Sequence, residues 1–263
     1  MAFYDLSKSE RADRVRAIQG EIKDALLSHN LQKAHVCYSD DDTYIRKSAY
    51  LVTGRLYSED VTLRPAILAM LLKFMSDPDF KVRQTVINAA GEIGKWDFEG
   101  VRSYFDEGLK DRHHSPRNAV IGSVKKMGEV NPEPVLAWAR EYLHHQDKEI
   151  RREICHGIEL RGRKYPEDIL PLLAELQHDR TARVRNTLVH VIGQIAYKKG
   201  CLAKVLAHLE SWENRPLVDA ALEEIIDVHH RYRNFTALTQ AEAITLIDAH
   251  YPDRKRKSGG MVY

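Results

Sequence analysis

The chain has 263 residues, 43% of them hydrophobic, and its 40 Lys+Arg against 38 Asp+Glu leave a formal net charge of +2. That is enough apolar residue for a sizeable core and too little net charge to demand or forbid a polyanion partner. No stretch approaches the ~18 consecutive apolar residues that span a bilayer, and no apolar run follows Met1, so neither a membrane anchor nor a signal peptide is expected.

Residues 1–39 open with an apolar stripe at Ala12, Val15, Ile18, Ile22, Ala25 and Leu26, with charged residues between. This spacing predicts an amphipathic helix that caps whatever follows. From residue 40 the pattern becomes periodic. Arginine recurs at Arg46, Arg83, Arg117, Arg151 and Arg185, at intervals of 37, 34, 34 and 34 residues. A constant period of this length marks stacked repeats.

Each arginine sits in a recurring frame. An apolar residue precedes it (Ile45, Val82, Pro116, Ile150, Val184). An acid lies six positions earlier at Asp40, Asp77, Asp111 and Asp179, or four earlier at Asp42, Asp79 and Asp147. Apolar or small residues follow at +3 (Ala49, Val86, Val120, Ile154, Leu188) and +7 (Thr53, Ala90, Val124, Ile158, Ile192), which completes one helical stripe. Glycine appears at +8 (Gly54, Gly91, Gly193) or +11 (Gly94, Gly128, Gly162). There it permits close approach of a neighbouring backbone or ends the helix in a left-handed turn. A sixth frame, without the arginine, runs through Val218, Asp219, Leu222 and Ile226.

Between these lie the helices predicted to open each hairpin, the frame-bearing helix being the second of its pair, over Leu63–Met75, Phe98–Leu109, Pro132–Leu143, Pro166–Leu176, Leu202–Trp212 and Gln240–His250. Pro132 and Pro166 suit a first helical turn, and the Asp-rich segments supply N-caps. Each unit is then a helical hairpin of roughly 34 residues that cannot cover its own apolar stripe. The expected architecture is all-α, a right-handed superhelical solenoid of about six hairpins. Residues 1–39 form its N-terminal helical cap, 40–252 the solenoid and 253–263 a basic flexible tail around Arg254-Lys255-Arg256-Lys257.

An acid, a short polar turn and then Val-Arg opening a helix resembles the HEAT repeat. The match is best at Asp77–Arg83 (DPDFKVR) and Asp179–Arg185 (DRTARVR). The resemblance implies that Asp40, Arg46, Asp77, Arg83, Asp111, Arg117, Asp147, Arg151, Asp179 and Arg185 are structural, linking neighbouring repeats in a ladder of charge-assisted hydrogen bonds. It implies little about function, because such repeats serve many tasks. A weaker resemblance, in length and helical pairing, is to the HEAT-like bacterial DNA alkylpurine glycosylases. No catalytic residue of theirs can be matched here.

Bases cluster at the ends of the frame-bearing second helices: Lys95; Lys125 and Lys126; Arg161, Arg163 and Lys164; Lys198 and Lys199; Arg231 and Arg233. Stacking would align them as a candidate polyanion-binding ridge, each neutralised phosphate releasing counterions. Cations are also favourable at helix C-termini for purely local reasons. Trp138 falls on the expected outer side of its helix and Trp96 and Trp212 near helix ends, all expected to serve packing.

Histidines pair at His113-His114, His144-His145 and His229-His230, where neighbours point to different helix faces and chelate poorly. A metal would need histidines converging from several repeats. The deoxyhypusine hydroxylases, also HEAT-like, hold two irons on His-Glu dipeptides, and this chain has none. Cys37, Cys155 and Cys201 are far apart with no C-x-x-C pair, which fits a reduced, cytoplasmic protein with Cys155 in the core. No cofactor is expected. The sequence points to a non-enzymatic scaffold presenting a concave helical surface to a protein partner. The alternative is a nucleic-acid binder or alkylation-repair protein using a basic groove.

Overall fold

A computed structural model describes residues 3–254, and among them all regular structure is helical. The run Lys255-Arg256-Lys257 lies outside the described residues. Arg254 lies inside them, and its guanidinium reaches Glu223 at 2.6 Å and Asp248 at 3.8 Å. The chain divides into two compact units, Met1–Ala137 and Trp138–Tyr263.

The first unit opens with α1 (Lys8–Ser28) and α2 (Gln32–Ser39). Ser7 and Glu10 close a reciprocal capping box at the start of α1, satisfying two amides that have no partner within the helix. The buried part of the α1 stripe is Ile18, Ile22, Ala25 and Leu26. Then come α3 (Thr43–Glu59), α4 (Arg64–Met75), α5 (Phe80–Ile93), α6 (Arg102–Gly108) and α7 (His114–Val130). The arginine-bearing helices pack on each other, α3 on α5 and α5 on α7, with α1 on the other side of α3.

The division between the units falls within α8 (Pro132–Tyr142). The second unit holds α9 (Lys148–Gly157), α10 (Glu159–Gly162), α11 (Pro166–Ala174), α12 (Ala182–Ala196), α13 (Leu202–Glu210), α14 (Arg215–Arg231) and α15 (Gln240–His250). It repeats the same two-layer logic. The layer of second helices runs α9, α12, α14, and the layer of first helices runs α11, α13, α15. The fold is therefore all-α, with HEAT-like hairpins stacked layer on layer within each unit.

The core is the apolar frame read along the helices. Ile45, Ala49, Val82, Val86, Ala90, Val120, Val124, Ile150, Ile154, Ile158, Val184, Leu188 and Ile192 are all buried. Each larger aliphatic among them contributes roughly 1.5–3 kcal/mol by leaving water. The +8 glycines set the spacing. A Cβ on Gly54 would lie 2.5 Å from Cβ of Glu92 on α5, and one on Gly193 would lie 2.7 Å from Cγ of Glu224 on α14. Only a residue without a side chain lets these helices approach so closely. The left-handed ending does not occur at Gly94, which caps α5 with φ −64°.

Three expectations are corrected. Helix α6 begins at Arg102, not Phe98, because the Asp97 carboxylate accepts the Gly100 amide at 3.0 Å and holds the chain in a turn. Trp138 is 1% exposed, so it faces the core and not an open outer side. Trp96 is not core filler: it projects from the turn that ends α5 and is 74% exposed.

Candidate functional site

The recurring arginine does the same local job in every frame. Its Nη1 donates to the carbonyl six residues earlier: Arg46 to Asp40, Arg83 to Asp77 at 2.7 Å, Arg117 to Asp111 at 2.6 Å, Arg151 to His145 at 2.7 Å and Arg185 to Asp179 at 2.6 Å. The acids cap the turn. Asp42, Asp79 and Asp147 accept the Tyr44, Lys81 and Glu149 amides, each at 2.8 Å. His113 takes that place before α7, its Nδ1 accepting the Ser115 amide at 3.1 Å.

Arg83 and Arg151 also reach forward to the next hairpin. Arg83 grips both oxygens of Asp111 at 2.7 and 3.0 Å, and Arg151 grips both of Asp179 at 2.5 and 3.1 Å. Burial works against ionisation of these two aspartates. The arginine fork, helped by the His113 and Thr181 amides, overcomes it and holds both carboxyls below their ordinary value. Asp77 instead meets His35 at 2.8 Å. Asp40 turns inward on its own loop, accepting the Asp42 amide at 2.8 Å.

Most of the bases of the candidate ridge face acids or aromatic rings. In the first unit Glu92 takes Lys95 on one oxygen and Lys126 on the other at 3.3 Å, while Lys126 also lies 5.3 Å from the Tyr50 ring centre. Lys125 is half-buried on α7. In the second unit Arg161 pairs with Asp168 at 2.7 Å and stacks 3.8 Å from the Tyr165 ring centre. Arg163 pairs with Glu159 and bonds Gln194 at 2.9 Å. Lys198 stands 4.4 Å from the Tyr197 ring centre. Arg231 holds Glu224 and Asp227, both at 2.6 Å. Lys164, Lys199 and Arg233 are exposed.

The same helix ends expose apolar side chains. Trp96 and Val130 (49% exposed) do so in the first unit, Tyr165 (45%) and Phe235 (75%) in the second. The compensating acids Glu92, Glu159 and Glu224 were not visible as a site in the sequence, since they fall at different offsets in their frames. Also unforeseen is a cluster of potential metal ligands, His156, Glu159 and His190, brought together by α9, α10 and α12. Its signal was a histidine at +5 in two successive frames. Among the described residues no helix is long and apolar enough to cross a membrane.

No protein-family model matches the chain, and no curated protein matches it. Solved structures do. The MAST/Orbit N-terminal domain is 14% identical, with a TM-score of 0.52, over 75% of this chain and 97% of that one. A structure of crescerin, described as using a TOG domain array to regulate microtubules in the primary cilium, is 19% identical at a TM-score of 0.49, over 74% of this chain and 88% of that one. AlkD2 from Streptococcus mutans is 16% identical at 0.47, over 79% and 97%. At these identities the MAST/Orbit likeness is one of fold, the all-α solenoid of HEAT-like hairpins.

Proposed function

We propose that the protein is a non-enzymatic scaffold that binds a protein partner along the exposed edges of its second helices. In this reading residues 1–39 cap the repeats, 40–252 carry the binding surface, and the setting is the reducing cytoplasm, where three buried free thiols are stable. The observation that carries the reading is the charge compensation of the basic row. Lys95, Lys126, Arg161, Arg163 and Arg231 already face carboxylates of the same or a neighbouring hairpin. A phosphate backbone binds by counterion release from cations that are free to meet it. A mixed-charge surface with exposed aromatic anchors such as Trp96 and Phe235 suits a protein.

Nucleic acid is the second reading, favoured by bases set beside rings at Arg161 and Tyr165 and at Lys198 and Tyr197. Bases of a single strand stack on such rings. Gel-shift titrations with double-stranded, single-stranded and alkylated DNA at two salt concentrations separate the two. The expected result is affinity no tighter than the roughly micromolar range of non-specific binding, unchanged by charge reversal of Lys125, Arg161, Arg163 and Lys198. Tight, salt-steep binding that the reversals abolish, or release of alkylated bases, overturns the scaffold reading. A captured protein partner must in turn lose at least about fivefold in affinity with Trp96→Ala or Phe235→Ala, since truncating an anchoring aromatic costs more than about 1 kcal/mol.

A further inference from the structure

We propose that His156, Glu159 and His190 form a binding site for one divalent transition-metal ion of the zinc class. The repeat itself builds it. His156 lies five residues after Arg151 and His190 five after Arg185, so both occupy the same position on consecutive second helices, α9 and α12. Stacking those helices sets the rings 5.9 Å apart. Glu159 follows one turn after His156, at the +8 position that holds glycine in three other frames. That position is directed at the next hairpin, as the contacts of Gly54 and Gly193 show. A carboxylate placed there is delivered to His190.

The geometry is that of a half-closed chelate. His156 Nδ1 stands 3.1 Å from Glu159 Oε2, and one ligand atom from each of the three residues lies within 4.8 Å of the others. Tetrahedral zinc with bonds of about 2.0–2.2 Å asks for ligand atoms roughly 3.3 Å apart. The histidine side chains, 31% and 42% exposed, turn by about an ångström to close on an ion.

Glu159 is 1% exposed, and it is already oriented: Arg163 holds Oε1, leaving Oε2 toward His156. Arg163 is itself fixed by Gln194 Oε1, and the buried Nε2 of Gln194 has no hydrogen-bond partner. Glu224 Oε1, held by Arg231, lies 3.7 Å from His190 Nδ1, so a further carboxylate stands beside the ring.

Two imidazoles and one carboxylate are the donor set of an open zinc site and not of calcium or magnesium, which take oxygen. The outer side opens into a depression of about 300 Å³ lined by Arg152, His156, Arg183, Asn186, Thr187 and His190, which gives the ion a path in and a water a fourth position. The two lining arginines are drawn off by carboxylates, Arg152 by Glu149 and Glu153 and Arg183 by Glu149. Both histidines ligate in the neutral form, so metal uptake releases any proton they carry.

Calorimetric titration of the untagged full chain with Zn²⁺ at neutral pH, after removal of metal by chelator, tests this. About one equivalent is expected. His156→Ala and His190→Ala, and the isosteric His190→Gln, are each expected to weaken binding by at least about tenfold while leaving the far-ultraviolet circular dichroism unchanged. No heat and no retained zinc, or wild-type affinity in the histidine variants, overturns the proposal.

Discussion

Arg83 and Asp111 are 7% and 5% exposed and meet through two parallel hydrogen bonds. Taking away one member of such a pair leaves a charge in the interior without its counter-ion. Asp111→Ala should therefore lower the free energy of unfolding by about 3–5 kcal/mol. Arg46→Ala removes donors to the Asp40 and Asp41 carbonyls and no ion pair within its grip. It should cost less, about 1.5–3 kcal/mol. Urea unfolding of the two variants checks the order. The cysteines make a second prediction at this scale. Burial, then the hydrogen bond to Glu21, pushes Cys37 up to about 12, and burial pushes Cys155 and Cys201 up as well. The thiolate is the reactive form, so a thiol reagent at neutral pH should label none of the three in the native protein and all of them after denaturation.

At the scale of helices, glycine has two opposite meanings here. A Cβ on Gly91 would come within 2.6 Å of the Ser123 Cβ on α7, so Gly91→Ala should destabilise by about 1–3 kcal/mol as the helices are forced apart. Gly20 in α1 and Gly122 in α7 have nothing within 4 Å of such a Cβ. Alanine there should stabilise by about 0.5–1 kcal/mol, the ordinary helix preference. Thermal melts of the three variants should move in these opposite directions. Helix positions were legible in the sequence for the same reason: proline, aspartate caps and the arginine frame act locally. Gln240–His250 is observed with its expected bounds, and Pro132 and Pro166 open α8 and α11. What escaped depends on distance in space. The period shows which helices stack, but not that Glu92 would lie between two lysines. Nor did it show that Trp96 would leave the core or that Glu159 would meet His190. Those outcomes are set by side chains one hairpin apart whose offsets do not repeat.

Across the whole molecule the response to acid should come in two stages. His229 is 1% exposed, and burial holds it below its ordinary 6.5 despite its bond to the Ile225 carbonyl at 2.7 Å. The unfolded chain takes up that proton as pH falls below about 6.5 and the folded one resists it, so stability declines from there. Asp111 and Asp179 are held below 3.8. Their contribution is whole above that value and is lost as pH falls through their folded values. Urea midpoints at about pH 7, 5 and 3 should fall stepwise, and His229→Gln should remove the first decline while sparing the second.

The forward grip of each fork has a kinetic corollary. Arg83 finds its carboxylate 28 residues ahead, and Thr85 reaches the Tyr38 carbonyl 47 residues back. Loops this short close at little entropic expense. Ordering can then begin in any hairpin and spread to its neighbours, without waiting for distant ends of the chain to meet, and refolding should be fast for 263 residues.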